Sequence, residues 1–193
     1  MNIQIRTSSG ISLVPEETLL LSDRIVFVEG TIDSALAMSF MKHIMVLLSR
    51  DHDKPISVVI NSAGGEINAG MMMYDLIRSA NIKTYCAGRA YSMAAVLFAC
   101  GKHGRYMFPH SELMLHEPLV GNGIGGSASS IRTLSENLMD IRRKLNLTLS
   151  EATGRTPEEI DEATAYDHFY SPEESIDFGL ADGIADLSML RTE

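Results

Sequence analysis

The chain has 193 residues, 45% of them apolar and 21% charged, and a formal net charge of −9. That is enough chain for one domain with a sizeable core, and the acidic balance excludes nucleic acid as a main partner, because phosphate binding requires a basic surface. The first ten residues hold no apolar signal segment and no run approaches the ~18 apolar residues of a membrane span, so a cytoplasmic protein with no membrane partner is expected.

Residues 1–16 are mostly polar without a clear period, which predicts a mobile arm ahead of a single domain over 17–193. Leu19 to Leu21 and Ile25 to Glu29 read as short strands. Thr31-Ile32-Asp33-Ser34 opens a helix, with Asp33 or a neighbour as its cap. Ala37, Phe40, Met41, Ile44, Met45 and Leu48 recur along it at helical spacing. After the charged turn Asp51 to Pro55, Ile56 to Ile60 is a nearly continuous apolar run, as in a strand covered on both faces of a parallel sheet. It ends in Asn61-Ser62-Ala63-Gly64-Gly65, and a helix follows from about Ile67 to Ser79. The next strand, Ile82 to Ala87, enters a turn and an apolar helix with Ser92 at the junction. Strand, helix, strand, helix is the βαβ pattern of an α/β fold, whose sites lie beyond the carboxyl ends of the strands.

Gly104 to Phe108 and Glu112 to Leu115 read as further strands, and His116-Glu117-Pro118 follows the second. Gly121 to Gly126 has four glycines in six residues but no Gly-Lys-Ser/Thr ending, so it reads as a hinge or irregular edge and not as a phosphate loop. Ile131, Leu134, Leu138, Ile141, Leu145 and Leu149 form one stripe on a helix of about twenty residues that stops at Gly154. A helix that long can project from the domain, which points to oligomerisation. Thr156-Pro157-Glu158-Glu159 and Ser171-Pro172-Glu173-Glu174 each carry a cap, a proline and a glutamate at capping-box spacing. Leu180 to Ala185 reads as a last strand. Cys86 and Cys100 stand in apolar runs and read as buried thiols.

Ser92 at a helix start is either a cap or a nucleophile. Acyl transfer by a serine also needs a base, a group that orients the base, and N–H donors for the oxyanion. His116, at a strand end, is the best placed of the six histidines. Asp167, in an aromatic-rich segment between two capped helices, is a candidate orienting carboxylate. The Gly64-Gly65 turn and the N–H of Met93 are candidate oxyanion donors. Each has a plainer alternative: a cap for Ser92, a core histidine for His116, a turn residue for Asp167. The segment is not Gly-x-Ser-x-Gly, the signature of the usual hydrolase elbow. His103, His110 and His116 lack the spacing of a metal site.

Four segments, in this order, resemble those of the ClpP-type serine peptidases, the proteolytic subunits of Clp protease. They are Val59 to Gly65, Ala87 to Ala95, Met114 to Leu119 and Asp167 to Ser171, and the resemblance runs from about Leu19 to Ala185. It implies a crotonase-like ββα superhelix with a projecting handle over about 120–154. It implies Ser92 as nucleophile, His116 as general base, Asp167 as orienting carboxylate, and Gly65 and Met93 as oxyanion donors. No cofactor is implied. The implied assembly is a homo-oligomer of heptameric rings, stacked in pairs, that cleaves unfolded polypeptides delivered by an AAA+ unfoldase ATPase. Ala165-Tyr166 replace the family's Asp-Arg pair before the catalytic aspartate, Glu117 replaces its usual glutamine, and Ser57 and Val59 replace tyrosines of its unfoldase-docking clefts. Two alternatives follow: a silent ring subunit that needs a partner subunit, and an acyl-CoA enzyme on the same fold.

Overall fold

The computed structural model describes residues 1–7, 10–121 and 125–190. Asn2–Thr7 (β1) and Gly10–Pro15 (β2) pair as an antiparallel hairpin, where the sequence suggests only an arm without periodic structure. The signal lies in Asn2-Ile3-Gln4-Ile5-Arg6, whose polar–apolar alternation is a strand period. Leu19 to Leu21, expected as a strand, belong instead to helix α1, Glu16–Ser22. Glu16 and Glu17 in its first turn favour a helix start. Leu20 and Leu21 pack on the two hydrophobic clusters that flank the sheet.

The domain is built on a mostly parallel sheet. Its strands are β3 (Ile25–Ile32), β4 (Ile56–Gly65), β5 (Ile82–Tyr91), β6 (Arg105–Met107), β7 (Glu112–Leu115), β8 (His168–Tyr170) and β9 (Gly183–Ile184). The path runs β3-β4-β5-β6-β9, with β7 also on β5 and β8 on β7. Ile56 to Ile60 are all buried, as the continuous apolar run predicts for a strand covered on both faces. The last strand is shorter than expected, because the chain reaches β6 only at Tyr106↔Gly183 and Met107↔Ile184.

Helices α2 (Ser34–Arg50), α3 (Ile67–Ser79) and α4 (Met93–Ala99) cover the larger face. Asp33 caps α2 as expected, accepting from Leu36 N. The buried stripe of α2 is Ala37, Phe40, Ile44 and Leu47, whereas Met38, Met45 and Val46 point outward. Every residue of α4 is buried. Burial pushes the Cys86 and Cys100 thiols up to about 12, so both are neutral, poor nucleophiles.

Helix α5, Ala128–Thr153, spans 26 residues, longer than its apolar stripe indicates. The helix outruns the stripe at both ends, and at the N-terminal one Ser127 accepts from Ser130 N. It stops at Gly154, which takes the left-handed conformation with φ of 74°. Residues 128–137 are all exposed, so this end stands clear of the domain, and only the far end, with Leu145 and Leu149, packs on it. Helices α6 (Pro157–Thr164) and α7 (Pro172–Phe178) both start with complete capping boxes, on Thr156 and Ser171. Of the glycine-rich segment 121–126, residues 122–124 lie outside the described residues, as does the end of the tail, 191–193.

Candidate active site

Strand β7 assembles the site because it pairs on both edges. On one edge it runs parallel to β5, with Arg89↔Glu112, Ala90↔Leu113 and Tyr91↔Met114. On the other it runs antiparallel to β8, with Leu113↔Tyr170, Met114↔Phe169 and Leu115↔His168. One residue further along these registers, Ser92 leaves β5, His116 leaves β7 and Asp167 enters β8. The Ser92 N–H donates to Met114 O at 2.8 Å, which extends the β5–β7 pairing into the junction. Tyr91, on β5, donates its hydroxyl to the Glu112 carboxylate, packs edge-on against Phe169 of β8 and so ties the three strands together beside the site.

Ser92 occupies the N-cap position of α4, but its side chain makes no capping bond. Its Oγ lies 2.8 Å from His116 Nε2. On the other side of the ring, His116 Nδ1 lies 3.1 Å from Asp167 Oδ1. With Nδ1–H donated to Asp167, Nε2 carries the lone pair and accepts the serine hydroxyl. The Ser92 backbone is at φ 55°, ψ −124°, a conformation rare for a residue with a side chain. Such strain costs about 1–3 kcal/mol and persists only where the surroundings enforce it. Ala90 and Ala94, two residues to either side of Ser92, are fully buried. The tight strand-to-helix turn is thus made with Ala-x-Ser-x-Ala, small residues standing where the familiar elbow has glycines.

The end of β4 forms the opposite wall. Ser62 Oγ donates to Gly30 O at 2.6 Å and accepts from Gly64 N at 3.0 Å, and the Glu66 N–H donates to Ile32 O at 2.7 Å. This holds Gly64 and Gly65 at φ 92° and 155°. A methyl group on Gly64 would stand 2.7 Å from Tyr91 O, 2.9 Å from Ser92 Cβ and 3.1 Å from Met93 N. The glycine turn is therefore in direct contact with the serine turn. Met93 is the first residue of α4, so its N–H is one of those a helix start leaves without an intrahelical partner. Gly64→Ala is expected to lower kcat at least about 100-fold, the scale of a lost oxyanion donor, as measured by hydrolysis of a fluorogenic peptide.

A narrow cleft of about 20 Å³ lies beside Ser92 and His116, floored by Val96, Leu145 and Leu149. That space holds little more than one water molecule. His116 is mostly buried, its side chain 16% exposed, whereas the Asp167 side chain is 63% exposed. The five residues singled out in the sequence thus lie on neighbouring turns at one end of the sheet. Gly64, Ala90 and Ala94 complete the junction.

The family model for Clp protease matches residues 13–188. The chain belongs to the Clp protease family. It is a ClpP-type peptidase, and its mixed α/β fold with a parallel sheet is that of the family. The match begins at Leu13, within β2, and runs through all seven strands of the main sheet and the long helix α5. No helix among the described residues of this Clp protease is long and apolar enough to cross a membrane.

Proposed function

We propose that this Clp protease is a serine endopeptidase whose nucleophile is Ser92. The observation that carries the reading is the unbroken hydrogen-bond chain from Ser92 Oγ through His116 to Asp167. His116 Nε2 takes the hydroxyl proton as Ser92 Oγ attacks the peptide carbonyl. The N–H groups of Gly65 and Met93 receive the oxyanion. His116 then returns the proton to the leaving amine, and water hydrolyses the acyl-enzyme by the same steps in reverse. Asp167 holds the imidazole in the required tautomer.

In this reading the substrate is an unfolded polypeptide. Exposed apolar side chains support assembly of protomers into a ring around such sites: Met38, Met45 and Val46 on α2, and Ile131, Leu134 and Met139 on the projecting part of α5. In this reading α5 joins two stacked heptameric rings, and an AAA+ unfoldase supplies substrate to the chamber. The exposure of Asp167 adds to it. A carboxylate in water holds the imidazolium less firmly than one covered by a neighbour, so activity rises on assembly.

The same exposure favours a second reading, a ring subunit silent alone and active only with a different subunit. A fluorophosphonate separates the two. Labelling of Ser92 in the assembled homo-oligomer is expected. Absence of labelling, with a related peptidase labelled in parallel, overturns the first reading, and labelling that appears on mixing with a second subunit establishes the other.

A further inference from the structure

Arg142 lies on α5, between the segments that carry His116 and Asp167. Its Nη1 is 3.4 Å from Glu117 Oε2, and Glu117 directly follows His116. Its Nη2 is 3.6 Å from Asp161 Oδ1 on α6, the helix that leads through Ala165 and Tyr166 to Asp167. One turn further along α5, Asn146 Nδ2 donates to the same Asp161 oxygen. The Arg142 Nε is buried with no hydrogen-bond partner among the described residues.

These pairs do little for stability. The Glu117 and Asp161 side chains are 44% and 59% exposed, and exposed ion pairs contribute next to nothing to folding. A buried nitrogen without a partner works against folding. An apolar side chain would serve the α5–α6 contact at least as well. What only a guanidinium does here is reach two carboxylates at once, one beside each partner of the serine. We infer that Arg142 is a positioning residue: it ties the His116 and Asp167 segments to one point on α5 and so sets the spacing of the two side chains. This rests on the reading of Ser92, His116 and Asp167 as a triad. It makes the seat of α5 on the domain a determinant of catalytic geometry.

The test uses the assembled protein with Arg142→Met, Arg142→Lys, Glu117→Gln, the double variant Arg142→Met/Glu117→Gln, and Ser92→Ala. The readouts are kcat and KM on a fluorogenic peptide, the rate of fluorophosphonate labelling, and Tm. Arg142→Met is expected to lower kcat and the labelling rate about tenfold, within the range for a small misplacement of reacting groups. KM and Tm stay unchanged. The double variant is no worse than Arg142→Met, and Arg142→Lys, which reaches one carboxylate at a time, falls between it and the parent. Unchanged kcat and labelling in Arg142→Met overturn the inference, as does a loss matched by a fall in Tm. If Arg142→Met does not assemble, Glu117→Gln decides by the same readouts. Labelling that survives Ser92→Ala overturns the triad itself. Labelling lost in Ser92→Ala but unchanged in Arg142→Met overturns only the role of Arg142.

Discussion

Ser92→Ala is expected to lower kcat for peptide hydrolysis by about 10⁶, the scale of losing a serine that acts with its histidine as a unit. His116→Ala then adds nothing further in the double variant, and Asp167→Asn alone costs about 10⁴. Steady-state assays on a fluorogenic peptide check all three. The backbone at Ser92 yields a second signature. At φ 55° and ψ −124°, alanine remains strained as serine is, whereas glycine is not. Relief of about 1–3 kcal/mol of strain, set against about 0.5–1 kcal/mol of extra chain entropy, leaves Ser92→Gly more stable than Ser92→Ala by about 1 kcal/mol. Denaturant midpoints read that difference. Equal midpoints would mean that the turn carries no stored strain. A serine serving only as a cap would show the opposite pattern throughout: little effect on rate, and a loss of stability from removing a hydrogen bond that the structure does not contain.

The α/β core was legible because its signals are local. The apolar run Ile56 to Ile60, the turn of Gly64 and Gly65, and the stop at Gly154 each report a backbone requirement that neighbouring residues alone determine. So do the two capping boxes, which need only four consecutive residues each. Leu19 to Leu21 misled for the opposite reason. A short leucine run suits helix or strand equally, and its helical state is decided by Glu16, Glu17 and the packing of Leu20 and Leu21 on either side. At the site, sequence position could not separate a capping Ser92 from a nucleophilic one, because both stand at the same place in a helix. The φ of Ser92 and the direction of its Oγ separate them, and both are set by β7 and by Gly64. The nearness of Asp167 to His116 follows from the register of β8, a strand of three residues with no periodic signal of its own. The motif order made that pairing an expectation, and the strand pairing is its physical cause.

Arg105→Ala is expected to destabilise the fold more than any substitution at the site. Nothing in the sequence marks this residue, since an arginine at a strand start normally faces water. Here its side chain is only 12% exposed. Its Nη1 donates to Gly179 O at 2.7 Å, Ala152 O at 2.9 Å and Ala99 O at 3.3 Å. These carbonyls lie at the C-terminal ends of α7, α5 and α4, the ends at which helix dipoles and unpaired carbonyls attract a cation. Asp182 closes the arrangement, accepting from Nε and Nη2 of Arg105 and from its backbone N–H. Asp182 itself is 41% exposed and water can replace its contacts, so most of the loss comes from the carbonyls. At about 1–3 kcal/mol for each buried acceptor left unpaired, discounted for partial access to water, the total is about 3–5 kcal/mol. For a domain of this size that lowers Tm by about 10 °C, as measured by thermal unfolding of the assembled protein. Arg105→Lys recovers only part, because one ammonium group cannot span three helix ends and a carboxylate together. A Tm within a degree or two of the parent in Arg105→Ala would show that the three helices are held by their apolar faces alone. The expected loss instead makes Arg105 the point that fixes the packed end of α5 against α4, the helix that begins at Ser92.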